Sequence, residues 1–140
     1  MNEVCSYANL RLSGIKCGFN TSPSWLAQGT SQTNYDQLGF IFTQTNFSQA
    51  QTKQQWTNWA NQQLTFVAGN DAFSRLANDV WLSINAYTGQ PTTAQIQDAG
   101  LALCESNANG VLMWKWGNIS GYEPFSQPGM LEAMQTVANV

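Results

Sequence analysis

A chain of 140 residues without a single histidine lacks the side chain most often used as a general base near neutral pH and as a metal ligand. Serine triads and histidine-built zinc sites are therefore excluded. Acid–base chemistry falls to eight carboxylates. Cleaving a glycosidic bond needs two of them flanking it, one protonated and one ionised. Asp71, Asp79, Asp98, Glu105 and Glu132 are expected on helices or at their ends, and Asp36 just before a strand. Glu123, in the loop GNISGYEPF, is left as a weak catalytic candidate without a partner. Lys115 lies between Trp114 and Trp116, where an ammonium can stack on a ring or act as an amine of lowered pKa.

The tryptophans are the other chemical resource, because a flat indole face is a platform for a sugar ring. Trp25, in a polar loop, and Trp114 and Trp116, at the end of an apolar run, are placed for that role. Trp56 and Trp59 continue a helical apolar stripe and are expected in the core, as is Trp81 at the start of a strand. Cys5, Cys17 and Cys104 show no Cys-x-x-Cys spacing, so neither a zinc ribbon nor a dithiol redox pair is expected, and no cofactor or metal is called for. Cys5 and Cys17 either close a small loop in an oxidising compartment or stay as two buried thiols. Cys104 is then the odd thiol unless a partner supplies its mate.

Only 9% of the residues are charged, against about 25% in an ordinary globular domain. The net charge is -3, which offers no basic patch for phosphates and excludes nucleic acid as a partner. No apolar run is long enough to cross a bilayer, so no membrane partner is expected. Gln, Asn, Ser and Thr fill the polar positions, and neutral amides and hydroxyls suit a neutral carbohydrate. A secreted or extracellular setting fits this composition. No charged-then-apolar leader follows Met1, so the chain is expected to be either a processed secreted protein or a piece of something larger. Asn20-Thr21-Ser22, Asn46-Phe47-Ser48 and Asn118-Ile119-Ser120 are N-glycosylation sequons, all at expected strand ends. Glycans there would crowd a substrate.

The elements that must position these residues alternate between strand and helix. NLRLSGIKCGF, up to Phe19, LGFIFTQ (Leu38 to Gln44), VWLSINAY (Val80 to Tyr87) and GVLMWKW (Gly110 to Trp116) read as four strands, the second as a run buried on both faces. Trp56, Ala60, Leu64 and Val67 mark a helix, and Phe73, Leu76, Ala77 and Val80 continue its stripe after a break at Gly69 and Asn70. Thr92-x-x-Gln95 is a capping box for the helix carrying Ile96, Ala99, Leu103 and Cys104, which Asn109-Gly110 ends. Pro128 opens a last helix with Met130, Leu131, Met134 and Val137 as its buried face. The first crossover holds at most a short helix near Trp25 to Gln28.

Strands separated by helices pair in parallel through right-handed crossovers, so residues 1–140 are expected to form a single α/β domain of four βα units. Two architectures satisfy this: half of an eight-stranded TIM-type barrel, or a small open doubly wound sheet. In both, ligands meet the carboxyl ends of the strands. The candidate binding residues are then Asn20, Gln44, Asn46, Asn85, Tyr87, Trp114 and Trp116, with Trp25 from the first loop. A nucleotide is a weaker ligand, because no Gly-rich phosphate loop follows any strand.

Gly110-Val111-Leu112-Met113-Trp114, followed by Lys115-Trp116-Gly117, a loop and a closing helix, resembles the eighth strand of chitinase-type (family 18) glycoside hydrolases. The resemblance implies that the four strands are the fifth to eighth of a βα barrel and that Trp114 floors a sugar subsite. The family's Asp-x-x-Asp-x-Asp-x-Glu signature has no counterpart between Met1 and Val140, and its sixth-strand Met-x-Tyr is replaced by Phe42-Thr43-Gln44. It therefore implies a carbohydrate-binding half that is not catalytic alone and is completed by a second half-barrel carrying the carboxylates. The alternative is a secreted structural or self-assembling domain without enzymatic activity, its sheet edges covered by copies of itself.

Overall fold

The structure is a computed structural model that describes residues 2–12, 16–21, 38–46, 52–71, 73–85, 91–114, 126 and 128–139. Along the chain run helix α1 (Asn2–Arg11), strands β1 (Gly18–Thr21) and β2 (Phe40–Asn46), helix α2 (Lys53–Ala68), a 3-10 turn (Ser74–Leu76), strand β3 (Val80–Asn85), helix α3 (Thr93–Cys104), strand β4 (Gly110–Trp114) and helix α4 (Met130–Ala138). The α/β expectation holds: four parallel strands form one sheet in the order β1-β2-β3-β4.

Helices α2 and α3 start in the same way. Thr52 and Thr92 accept a hydrogen bond from the N–H of the residue three further on, and the Gln55 and Gln95 side chains accept from the cap N–H in return. Each box satisfies two backbone donors that the first turn of a helix leaves over. The Thr52 box is written in the sequence as plainly as the Thr92 box. Lys53 at the start of α2 pairs with Glu105 at the end of α3 at 2.7 Å, tying the two neighbours together.

Strand order follows chain order without reversal. A right-handed crossover between adjacent parallel strands lands its helix on the same face each time, and α2 packs on α3 and α3 on α4 as one layer. A doubly wound sheet reverses its order at a switch point; the described order has no such reversal. Between sheet and helices lies the core: Ile41, Val80, Leu82 and Ile84 from the strands, Trp56, Ala60 and Val67 from α2, and Ile96, Ala99 and Leu103 from α3, each buried. A fully buried side chain of the Val to Phe class contributes about 1.5–3 kcal/mol, and these carry the fold. Polar atoms are buried here too. Thr43 Oγ1 and both amide atoms of Gln63 have no hydrogen-bond partner among the described residues.

Four expectations need correcting. The stretch from Asn9 to Phe19 is not one strand: Asn2–Arg11 is helical, Leu12 N–H donates to the Ala8 carbonyl at 2.8 Å, and β1 begins only at Gly18. The alternation of Leu10 and Leu12 that suggested a strand belongs to exposed side chains, 84% and 53% accessible. Phe73 and Leu76 are buried in a 3-10 turn and do not continue a helix. Cys104 is exposed at the end of α3. In α4 the side chains expected inside, Leu131 and Met134, are outside, while Ala133 is buried. Val137, also expected inside, does pack on α3: a methyl added to Gly100 would lie 2.7 Å from Val137 Cγ2, so the bare backbone at Gly100 sets which side of α4 faces α3.

Cys5 and Cys17 form a disulfide that ties α1 to the residue before β1, and Cys5 is wholly buried. Such bonds persist in oxidising compartments, which fits an extracellular protein. No helix among the described residues is long and apolar enough to cross a membrane.

Candidate functional site

Side chains alternate across a strand, so the helix layer claims every second residue and the rest face the opposite side. On β2 the helix side takes Ile41, Thr43 and Thr45, all buried, and leaves Phe40, Phe42 and Gln44 half-buried. The second strand is thus buried on one face, not on both as its composition suggested. On β3 the helix side takes Val80, Leu82 and Ile84, and Trp81, Ser83 and Asn85 lie on the other.

The register sorts this second face into tiers. At the amino ends Phe42 pairs with Trp81 and Trp81 with Gly110. The Phe40 and Phe42 rings meet edge to face at 5.1 Å, and Phe42 and Trp81 lie 5.8 Å apart. Gly18 and Gly110 are the positions over which the rings spread: an added methyl would stand 2.0 Å from Phe40 and 2.6 Å from Trp81. Beside the rings is a cleft of about 320 Å³ lined also by Lys16, Asp79 and Asn109. Lys16 and Asp79 form a surface ion pair at 3.4 Å.

Toward the carboxyl ends the same face turns polar. Asn20 Nδ2 donates to Gln44 Oε1 at 2.9 Å, bridging β1 and β2. Gln44 pairs in register with Ser83, which is 3% exposed, and Ser83 with Leu112. Asn46, Asn85 and Trp114 follow as register partners at the strand ends. The Asn20–Gln44 bond uses one donor and one acceptor. Among the described residues it leaves the amide oxygen of Asn20 and the N–H groups of Gln44 open to a further hydrogen bond.

Of the expected binding residues, the sheet brings Asn20, Gln44 and Asn85 to one face, and places the backbones of Asn46 and Trp114 at the same end. Trp25, Tyr87, Trp116, Lys115, Glu123 and the Asn118 sequon lie outside the described residues. Trp56 is wholly buried, and Trp59 and Trp81 are half-buried. Ser83 and the aromatic tier of Phe40, Phe42 and Trp81 were missed. The residue types do not alternate in FIFTQTN or VWLSIN; only the period-two geometry of a strand, once the helix layer is known, splits each into a helix-facing and a second set.

No described carboxylate stands at the polar end. Asp79 is at the amino ends with Lys16, Glu105 caps α3, and Asp71, Asp98 and Glu132 belong to turns or helices. No three His, Cys, Asp or Glu side chains converge as metal ligands among the described residues. The Cys104 thiol has its pKa raised, first by partial burial and then by the Glu105 carboxylate, so it is a poor nucleophile near neutrality. The described arrangement presents neutral hydrogen-bonding groups and no acid–base pair. No family model, curated protein or solved structure matches the chain.

Proposed function

We propose that this chain is one half of a sugar-active βα barrel, similar to the C-terminal half of chitinase-type glycoside hydrolases, and that it binds neutral carbohydrate at the carboxyl ends of its strands. One observation carries the reading: four parallel strands in unreversed order have α2, α3 and α4 in one layer on one face, and the other face ends in uncharged amides and a hydroxyl, with Asn20 bonded to Gln44. In a closed barrel that second face is the interior. Its aromatic tier would fill the closed end and its amide tier would meet the ligand at the open end. Trp114, Trp116, Tyr87 and Trp25 are the proposed stacking walls. The chain supplies subsite contacts and no catalysis of its own, and the carboxylates come from the second half. The Cys5–Cys17 bond supports export from the cell.

The test is a titration of the purified chain with chito-, cello- and manno-oligosaccharides followed by tryptophan emission. A saturable change is expected, weakened at least tenfold by Gln44→Ala and by Trp114→Ala. A folded chain that responds to no glycan moves the reading to its competitor, a structural domain whose open edges are covered by copies of itself. That competitor draws on the exposed apolar side chains of α1 and α4.

A further inference from the structure

The cleft beside Phe40, Phe42 and Trp81 lies at the amino ends of the strands, at the other end of the sheet from the proposed sugar contacts. Its walls are three half-buried rings set at angles to one another, 87° between Phe40 and Phe42 and 60° between Phe42 and Trp81. Apolar walls with a few polar groups, enclosing about 320 Å³, are the ordinary make-up of a small-molecule site. The polar groups here are Lys16, Asp79 and Asn109.

Backbone bonds hold that rim in place. Gly39 N–H donates to the Cys17 carbonyl at 2.8 Å, Ile41 N–H to the Asp79 carbonyl at 3.1 Å, and Asn109 N–H to the Val80 carbonyl at 2.8 Å. Asp79 and Asn109 are thus tied to the sheet directly, and Lys16 through its neighbour Cys17. The Lys16 stem also lies against the bare backbone of Gly39, where an added methyl would stand 2.9 Å from Lys16 Cβ. A rim already ordered lowers the cost of binding.

Charge selects the ligand. Lys16 Nζ and Asp79 Oδ1 stand 3.4 Å apart, on side chains 66% and 33% exposed. Such a pair contributes little to the fold, so both groups can turn to a ligand. A simple cation would match Asp79 and leave Lys16 unmatched, and a simple anion would do the reverse. Two neighbouring opposite charges are met in full by a molecule that carries an ammonium and a carboxylate on one carbon. The three rings then receive a flat apolar substituent, edge to face or offset-stacked.

We infer that this cleft binds a small zwitterion bearing a flat apolar ring, an aromatic α-amino acid being the simplest. Lys16 takes its carboxylate, Asp79 its ammonium, and Phe40, Phe42 and Trp81 its ring. The inference does not rest on the half-barrel reading, since every lining residue belongs to this sheet or its edges.

Calorimetric titration of the purified, oxidised chain at two temperatures tests it with four probes. These are L-phenylalanine, phenethylamine, which lacks the carboxylate, 3-phenylpropionate, which lacks the ammonium, and glycine, which lacks the ring. Phenylalanine is expected to bind one to one, and each of the others about tenfold more weakly or worse. Lys16→Gln should bring phenylalanine down to the level of phenethylamine, and Asp79→Asn down to that of phenylpropionate. Both variants change exposed side chains and should leave circular dichroism and the glycan titration as they were, so the two readings fail separately. No saturable heat with phenylalanine overturns the site. An analogue that binds as tightly as phenylalanine overturns the match of ring and paired charges. Phenylalanine binding that ignores both variants lies outside the cleft and overturns the site as well.

Discussion

The two faces of the sheet are built from the same strands and obey different rules. Toward the helices, Ile41, Val80, Leu82 and Ile84 are wholly buried and meet Trp56 and Val67 in one apolar cluster. On the other side the alternate residues are half-buried rings at the amino ends and amides at the carboxyl ends. The first face contributes stability through buried area, and the second spends its residues on geometry. The same strand can serve both because its side chains alternate with a period of two.

The widest separation between the faces is expected on truncating Trp56, the largest wholly buried side chain. Trp56→Ala should cost about 3–5 kcal/mol in urea unfolding, whereas Gln44→Ala on the other face should leave the midpoint within about 0.5 kcal/mol. Equal losses would erase the distinction. Opening the Cys5–Cys17 bond tests how far α1 depends on a covalent tie. Its 12-residue separation gives about 3 kcal/mol from chain entropy. Reduction should therefore release α1 before the sheet melts, seen as early exchange of its amides.

Crowding on the second face is a smaller effect. Gly110→Val drives carbon into the Trp81 ring and should cost about 1–3 kcal/mol while shifting Trp81 emission. Smallest, and opposite in sign, is Thr43→Val on the helix side. The Thr43 hydroxyl is buried with no hydrogen-bond partner among the described residues. Removing it should gain about 1 kcal/mol in the same unfolding assay. A loss of stability would mean that the hydroxyl is satisfied.

Much of this was readable before any coordinates. The short apolar runs that open FIFTQTN and VWLSIN locate β2 and β3, and Thr92 with Gln95 locates the start of α3. Helix α1 was not readable, because Tyr7 and Leu10 are exposed and mark no buried stripe in the sequence; a disulfide anchors it instead. The orientation of α4 was hidden for a related reason. Its inner side is chosen by the absence of a side chain on another helix, at Gly100. Of the candidate site, the strand-end residues were named from chain position alone. The Asn20–Gln44 bond joins residues 24 apart, and only the register of β1 on β2 brings them together.

Both capping boxes are made of threonine and glutamine, so neither contains a group that titrates. Helix starts capped by Asp or Glu lose their cap charge as the medium acidifies, and much of acid unfolding comes from native carboxylates taking up protons. Here α2 and α3 keep their first turns unchanged through the whole carboxylate range. The ion pairs of Lys16 with Asp79 and Lys53 with Glu105 are at the surface, where such pairs contribute little. The starts of α2 and α3 are consequently built to keep their form in an acidic medium.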